Sequence, residues 1–315
     1  MKVLSVVIAL FNEAENIPLL LEQTSAALQD IDHELILVDD GSRDGSVAVI
    51  KKHLQPNMKL VILRKNYGQS AAMAAGIAAA SGEYIATMDA DLQNDPSDIP
   101  MMLDKLISEN WELVAGVRKK RQDKLVGRKL PSRIANKLIR NTTGVTLHDY
   151  GCTLKVFTSD LAKSLELYGD MHRFIPVLAA LQGGSMTEVE VKHHPRIYGK
   201  SKYGLGRTIK VLSDLLLILF MQKYFQRPMH FFGPVGLLFL SAGIVINIYL
   251  GIDKLLGAQI GSRPLLILGV IFLLGGLQLI LFGILAEMLM RTYYESQNKK
   301  TYRIRSIVTY KPVPA

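Results

Sequence analysis

From residue 1 to about residue 200, short apolar runs alternate with longer stretches of mixed polarity. The short runs are rich in β-branched residues, which is typical of buried strands; they are LSVVIAL, HELILV, KLVILRK, EYIAT and ELVAGVR. The stretches between them carry apolar residues at helical spacing, or small residues ending at glycine, and they predict helices. This alternation predicts an α/β fold with a mainly parallel sheet covered on both faces.

Two later segments are continuously apolar. Residues 231–252 contain no charge over 22 positions, and residues 264–286 contain none over 23. Each segment is long enough to cross a hydrocarbon layer of about 30 Å as a helix. Buried core helices of soluble proteins rarely run uncharged for so long, so the sequence predicts a two-helix transmembrane hairpin.

These patterns divide the chain into four parts: a large domain (1–202), an interfacial helix region (203–228), the hairpin (229–290) and a tail (291–315). The interfacial region is apolar but carries scattered charges, which suits a helix lying in the membrane surface. Lysine and arginine are frequent beside both outer ends of the hairpin and sparse in its loop. The positive-inside bias therefore predicts that the large domain and the tail lie on the cytoplasmic side of the inner membrane.

The formal net charge of +9 indicates an anionic partner. Residues 115–140 hold ten Lys or Arg against one acid, Asp123, and are interleaved with Leu and Ile rather than with aromatic residues. That pattern favours lipid headgroups over nucleic acid, although a plain solvated basic helix remains an alternative for this segment alone. Cys152 is the single cysteine, which excludes an intrachain disulfide and a zinc cage of thiolates.

Polar side chains follow three of the predicted strands, at the point where each strand ends. In parallel sheets of this kind, ligands bind at the carboxyl ends of the strands. The residues concerned are Asn12 and Glu13, then Asp39 and Asp40, then Asp89 and Asp91.

The last of these pairs points to a cation. In an extended chain Asp89 and Asp91 lie on the same side, and two carboxylates so close repel one another unless a cation lies between them. Oxygen ligands suit Mg²⁺ or Mn²⁺ shared with a diphosphate, and Gln93 occupies the next same-side position. The adjacent pair His193 and His194 is too small a cluster to predict zinc.

Several common catalytic motifs do not occur in the sequence. We find no G-x-x-x-x-G-K-[ST], no G-x-G-x-x-G after the first strand and no G-x-S-x-G. A P-loop nucleotidase, a dinucleotide oxidoreductase and a serine hydrolase with a nucleophile elbow are therefore not supported.

Taken in order, the motifs SVVIALFNEAENI, LILVDDGSRDGS, RKNYGQSAAMAAGI, MDADLQNDP, DYGCTLKVF and YGKSKYG carry a resemblance over nearly the whole chain. The sequence resembles the polyisoprenyl-phosphate glycosyltransferases, relatives of dolichol-phosphate mannose synthase in glycosyltransferase family two. It is most similar to the bacterial members that act on undecaprenyl phosphate with UDP-sugars. Ala9 departs from the proline that the family commonly has at that position.

The resemblance implies a GT-A fold and a set of site residues. Implied nucleotide-sugar contacts are Phe11, Glu13, Asp39, Asp40 and Arg118, with Asp39 and Asp40 not distinguished from one another. Implied ligands of Mg²⁺ or Mn²⁺ are Asp89, Asp91 and Gln93, and Lys202 is implied to act on a loop over the site. Implied contacts of the lipid phosphate are Arg128, Ser132 and Arg133. Arg173 either contacts the same lipid phosphate or is a surface arginine. Asp149 is a family position that either orients the sugar or a loop, or makes a structural hydrogen bond.

The implied reaction is an inverting, metal-dependent transfer of a sugar from UDP-glucose or another UDP-sugar to undecaprenyl phosphate. The acceptor phosphate is already an anion at neutral pH, so the transfer needs no general base. A GDP-mannose-using synthase and a catalytically silent sugar-nucleotide sensor are the alternatives; a processive synthase is disfavoured because no Q-x-x-R-W motif occurs. The second apolar segment contains Gly269, Gly275 and Gly276, and small residues permit close helix packing. Such packing between copies of the chain would allow a homo-oligomer, for example a tetramer.

Overall fold

The computed structural model describes residues 3–118, 147–165, 167, 169, 171–198, 220, 224 and 227–296. The chain forms two compact units, Met1–Leu215 and Leu216–Ala315. The predicted basic helix within 119–146, most of the interfacial region and the tail beyond residue 296 lie outside the described residues.

The first unit contains seven strands and six α-helices among its described residues, in the alternating order that the apolar pattern predicts. The strands are β1 (Leu4–Leu10), β2 (His33–Asp39), β3 (Met58–Ile62), β4 (Tyr84–Asp89), β5 (Leu113–Arg118), β6 (Lys155–Thr158) and β7 (Met186–Val191). The helices are α1 (Ile17–Ala27), α2 (Ser46–Lys52), α3 (Gln69–Ala79), α4 (Ile99–Ser108), α5 (Ser159–Ser164) and α6 (Ile175–Leu181). Short 3₁₀ turns at Pro96–Asp98 and Met171–Phe174 precede α4 and α6.

The strands form one sheet in the order β3-β2-β1-β4-β6-β5-β7. β6 runs antiparallel to both of its neighbours, and the other pairs are parallel. The predicted mixed, mainly parallel sheet is therefore confirmed.

Three adjacent parallel strands bring the polar strand ends together. Ala9 in β1 pairs with Val38 in β2 on one side and with Asp89 in β4 on the other. Helix α3 packs closely over these strands, because a Cβ at Gly76 would lie only 2.3 Å from Val7 Cγ1. The loops that follow β1, β2 and β4 consequently meet at one edge of the sheet, where the sequence predicts a ligand site.

At the opposite end of the strands, a buried carboxylate joins several elements. Glu34 accepts hydrogen bonds from Ser5 Oγ at 2.6 Å and from the N–H and Oγ of Ser81, both at 2.7 Å. Its other oxygen lies 2.8 Å from Lys59 Nζ. Burial raises the pKa of Glu34, but the bonds from Lys59, Ser5 and Ser81 outweigh it and lower the pKa to about 2.

We expect Glu34→Gln to remove about 2 kcal/mol of stability at neutral pH, because it breaks the ion pair within a buried hydrogen-bond network. The carboxylate stabilises the fold above its unfolded-state pKa of 4.5, and this contribution is lost as the pH falls towards 2. Thermal unfolding of the detergent-solubilised chain between pH 2 and 6 should therefore depend less on pH in the variant. Glu22→Gln, at an exposed position of α1, is the control. Equal pH dependence of Glu34→Gln and wild type would contradict this assignment.

The second unit contains two long helices, α7 (Met229–Leu255) and α8 (Pro264–Ser296). Both are long and apolar enough to cross a membrane, with mean hydropathies of 2.2 and 2.7 in their apolar windows. Only 17% and 11% of those windows are buried within the protein, so most of their apolar surface faces outwards. Soluble core helices would be covered instead. The two long apolar helices that the sequence predicts are therefore confirmed, and each is long enough to span a membrane.

Glycines form the contact between α7 and α8. A Cβ at Gly276 would lie 2.5 Å from the Leu240 nitrogen, and one at Gly269 would lie 2.6 Å from Asn247 Nδ2. Two of the three glycines from which self-association was predicted therefore pack within the chain, whereas a Cβ at Gly275 would meet nothing within 4 Å.

This contrast gives a matched pair of substitutions. We expect Gly276→Ala to destabilise the hairpin by about 1–3 kcal/mol, because the added methyl group must push α7 away. Gly275→Ala should be neutral or stabilising, because it gains helix propensity without a clash. Thermal unfolding in detergent, followed by helical circular dichroism, checks both variants, and equal shifts in the two would rule out this packing.

Candidate active site

The loop after β1 is tied to the loop after β2. Ser42 Oγ accepts the Asn12 N–H at 2.8 Å, and Asn12 Oδ1 accepts the Arg43 N–H at 2.8 Å. Asn12 has a φ of 52°, in the left-handed region that asparagine tolerates better than most residues. These bonds hold the turn that places Phe11 and Glu13 on the wall of a cavity.

The two neighbouring aspartates after β2 differ in position. Asp40 lines the cavity, and its oxygens accept the backbone N–H groups of Tyr67 at 2.7 Å and Gly68 at 2.9 Å. Asp39 is buried behind it, where Oδ2 accepts the Ser42 N–H at 3.1 Å. Sequence reasoning left these two open, and the geometry favours Asp40 as the one that faces a ligand.

Asp89 and Asp91 both open into the same cavity, as the same-side argument predicts. Asp89 Oδ1 accepts a hydrogen bond from Gln69 Nε2 at 2.5 Å, and Asp91 Oδ2 accepts one from Arg196 Nη2 at 2.6 Å. Burial, followed by repulsion from Asp91, raises the pKa of Asp89 to about 6. Burial also raises the pKa of Asp91, although Arg196 opposes that shift.

Gln93 departs from the same-side expectation. β4 ends at Asp89, and Leu92 has a φ of 60°, so the chain is no longer extended between Asp91 and Gln93. The Gln93 amide points to the backbone oxygen of His194 at 3.5 Å, and Gln93 is not among the described residues that line the cavity.

The segment 192–196 lies along the acidic loop. His194 Nε2 is 3.1 Å from an Asp95 oxygen, and His193 forms an isolated bridge with Asn94. Asp95 also accepts the Ser97 N–H at 2.9 Å, so it caps the next turn. The two histidines therefore serve as structural partners of this loop.

Arg118 and Asp149 form a two-pronged ion pair. Arg118 Nε and Nη2 donate to the two Asp149 oxygens at 2.6 and 2.9 Å. Burial lowers the pKa of Arg118, but the hydrogen bonds and the charge of Asp149 outweigh burial and raise it. The charge of Arg118 in turn lowers the pKa of Asp89. The diphosphate contact implied for Arg118 would have to be made by a guanidinium already held by Asp149, which favours the structural alternative for Asp149.

The cavity has a volume of about 390 Å³, within the range of small-molecule sites. The residues of its wall that were not predicted from sequence include the polar side chains of Gln69, His172 and Arg196. Each reaches the site from a part of the chain distant from Asp89 and Asp91, and the sequence does not indicate that these parts meet.

A divalent cation fits the acids of this cavity. The part of the chain that the structure describes contains no group of three or more His, Cys, Asp or Glu placed to hold a metal by itself. Mg²⁺ and Mn²⁺ do not need one, because they are commonly bound by one or two carboxylates together with substrate phosphates and water. Asp89 and Asp91 supply that number, and a cation would relieve the repulsion that raises the pKa of Asp89.

The remaining predicted site residues are four that fall outside the described part of the chain and Arg173, which falls within it. The four are Arg128, Ser132, Arg133 and Lys202. Arg173 lies in the turn Met171–Phe174, next to His172, and is not among the described residues that line the cavity.

The sequence of this chain matches those of known glycosyltransferases. Residues 5–165 match glycosyl transferase family 2. Dodecaprenyl-phosphate galacturonate synthase of Rhizobium johnstonii is 46% identical over 312 residues, which cover 96% of this chain and 92% of that protein. Undecaprenyl-phosphate 4-deoxy-4-formamido-L-arabinose transferase of Pseudomonas syringae is 34% identical over 314 residues, which cover 98% and 91%.

Solved structures give the same fold. Glucosyl-3-phosphoglycerate synthase from Mycobacterium tuberculosis, in complex with Mn²⁺, UDP and glucosyl-3-phosphoglycerate, superposes with a TM-score of 0.54 at 18% identity. The superposition covers 70% of this chain and 80% of that one. The same enzyme in complex with Mn²⁺ and UDP-glucose also gives a TM-score of 0.54. At this identity the likeness concerns the fold, and it confirms the GT-A class.

Proposed function

Because the chain belongs to glycosyl transferase family 2, and within it to the polyisoprenyl-phosphate glycosyltransferases, we propose that it transfers a sugar from a UDP-sugar to undecaprenyl phosphate or a similar polyprenyl phosphate. The observation that carries this proposal is the cavity shared by Asp40, Asp89 and Asp91 at the carboxyl ends of the parallel strands. Galacturonic acid is the first sugar to test, because the relative with 46% identity is a galacturonate synthase. UDP-glucose, the donor implied by the sequence motifs, and arabinose derivatives follow.

In this proposal Asp89 and Asp91 hold Mg²⁺ or Mn²⁺ against the donor diphosphate. The bound cation would neutralise the charge that the departing nucleoside diphosphate acquires. Asp40, Phe11 and Glu13 lie together on the cavity wall and would bind the nucleoside.

The chemical step needs no proton transfer at the acceptor. An oxygen of the lipid phosphate forms a bond to the anomeric carbon, while the bond from that carbon to the donor diphosphate breaks. The electron pair leaves with UDP, and a single displacement inverts the anomeric configuration. The acceptor is an anion approaching an anionic donor, so cationic side chains must stabilise the transition state. We assign this role to Arg128, Arg133 and Lys202. Ser132 and Arg173 would contribute contacts to the lipid phosphate.

The two apolar helices of the hairpin would anchor the catalytic unit at a membrane, where the lipid acceptor is found. A membrane protein with its catalytic unit on the cytoplasmic side meets both a soluble nucleotide-sugar and a lipid acceptor, and the distribution of lysine and arginine supports that orientation.

The experiment is a transfer assay with the full-length chain in detergent. UDP-galacturonate, UDP-glucose, a UDP-aminoarabinose derivative and GDP-mannose are each incubated with undecaprenyl phosphate and Mn²⁺, and the lipid fraction is analysed by mass spectrometry. We expect a lipid-linked sugar from one or more UDP-sugars. Product from GDP-mannose alone would replace the proposed donor class, and nucleotide binding without any product would favour a silent sensor.

A further inference from the structure

His172 lines the cavity but has no role in the function proposed above. His172 lies in the turn between α5 and α6 and is only 5% exposed, yet it lines the same cavity as Asp89 and Asp91. Buried histidines often serve only to satisfy hydrogen bonds inside the core. The position of His172 on the cavity wall is what separates it from that case.

Ser70 fixes the orientation of this ring. Ser70 Oγ and His172 Nδ1 share a hydrogen bond of 2.8 Å, and the backbone N–H of His172 donates to the same Oγ at 3.1 Å. Ser70 is itself buried, at 1% exposure, in the first turn of α3. A ring held at Nδ1 directs its opposite edge, which carries Nε2, away from Ser70.

Gln69, the residue before Ser70, links the His172 ring to the acids of the cavity. Gln69 precedes Ser70 in the chain and donates to Asp89 at 2.5 Å, so His172 is connected to Asp89 through two consecutive residues of α3. In the proposed function Asp89 and Asp91 hold a cation against the diphosphate, and Asp40 and Glu13 bind the nucleoside. The link through Ser70 and Gln69 therefore relates His172 to the diphosphate end of the cavity, from which the sugar would extend.

The charges around the cavity make a nitrogen donor useful there. Four carboxylates line it: Glu13, Asp40, Asp89 and Asp91. These groups accept hydrogen bonds and repel an anionic sugar. Arg196, on the same wall, is bound to Asp91 at 2.6 Å, and the His172 imidazole is a second nitrogen-bearing ring or guanidinium group on that wall.

We infer that His172, positioned by Ser70, is a specificity-determining residue that donates a hydrogen bond from Nε2 to the sugar of the nucleotide-sugar donor. This inference rests on the proposed function. It assigns to the site a contact with the sugar, distinct from the contacts with the nucleoside and the diphosphate.

Two substitutions separate a sugar contact from a purely structural role. In His172→Asn, the amide nitrogen takes roughly the place of Nδ1, so the bond to Ser70 is retained and the cavity edge is lost. In His172→Gln, the longer side chain places its amide nitrogen near the position of Nε2. A sugar contact therefore predicts that Gln is the better replacement, and a structural role predicts that Asn is.

The measurement is the dissociation constant of UDP and of UDP-galacturonate for the full-length chain in detergent with Mn²⁺, by isothermal titration. For His172→Asn we expect affinity for the UDP-sugar to fall about tenfold, as the loss of one hydrogen bond implies. Affinity for UDP should change by less than about twofold, because UDP has no sugar at that position. His172→Gln should remain within about threefold of wild type for both ligands.

Ser70→Ala tests the positioning role, and we expect a smaller loss with the same preference for the UDP-sugar over UDP. His53→Asn, at an exposed position after α2, is the matched control and should leave both constants unchanged. Equal losses for UDP and UDP-sugar, or no loss in His172→Asn, would overturn the inference while leaving the transfer activity of wild type intact. If wild type binds no UDP-sugar of the panel more tightly than UDP and forms no lipid-linked product, the proposed function fails as well.

Discussion

Asparagine in place of Asp89 or Asp91 is expected to lower kcat/KM for sugar transfer by about a thousandfold or more, a loss of about 4 kcal/mol of transition-state stabilisation. Both carboxylates line the cavity and are the oxygen ligands available at this strand end. An amide carries no negative charge, so the affinity for the cation, and with it the neutralisation of the leaving diphosphate, should be lost.

The two variants should differ in stability, which separates loss of function from loss of fold. Asp89→Asn removes the repulsion that raises the pKa of Asp89, and its oxygen can still accept from Gln69, so its thermal midpoint should be equal to wild type or higher. Asp91→Asn weakens the partner of Arg196 and should lower the midpoint. Transfer rates and Mn²⁺ binding, followed by electron paramagnetic resonance, are measured on the same samples.

Asp104→Asn, at an exposed position of α4, is the control and should retain wild-type activity and Mn²⁺ binding. Transfer by Asp91→Asn at more than a tenth of the wild-type rate would refute the assignment of Asp91 as a cation ligand.

The second large effect is expected at Asp40. Its carboxylate accepts the N–H groups of both Tyr67 and Gly68, and one of these acceptors becomes a donor in Asp40→Asn. A buried N–H without an acceptor costs about 1–3 kcal/mol, so the loop before α3 should move. That loop precedes Gln69, which bonds to Asp89, so the change should reach both the nucleoside and the metal end of the cavity.

We therefore expect KM for the UDP-sugar to rise about 10- to 100-fold, with a smaller fall in kcat. Steady-state kinetics at saturating polyprenyl phosphate measure both constants. Asp32→Asn, exposed before β2, is the control. An unchanged KM in a folded Asp40→Asn variant would exclude Asp40 from nucleotide binding and from positioning the loop.

The sheet and the hairpin could be predicted because their signals are local. β1, β2 and β4 are apolar runs followed at once by polar residues, and a parallel arrangement suffices to bring their ends together. The same reasoning placed Asp89 and Asp91 on one side. It did not extend to Gln93, because the left-handed conformation of Leu92 means that the chain is not extended between Asp91 and Gln93.

The contacts made across long chain separations could not be predicted. Arg196 reaches Asp91, and His172 reaches Ser70, across 105 and 102 positions of the sequence. Pairing at such distances depends on the tertiary fold, and no periodicity or spacing encodes it. The choice between Asp39 and Asp40 was open for the same reason, since only the Tyr67–Gly68 loop distinguishes them.

The most direct test of the central claim is the identity of the nucleotide released during transfer. Breaking the bond between the anomeric carbon and the donor diphosphate releases UDP and leaves a lipid with one phosphate between chain and sugar. Purified full-length protein, a UDP-sugar that supports transfer, Mn²⁺ and undecaprenyl phosphate are incubated, and the nucleotides are separated by ion-exchange chromatography. We predict UDP in amounts equal to the lipid-linked sugar. Release of UMP, with a lipid that carries a diphosphate-linked sugar, would contradict the account.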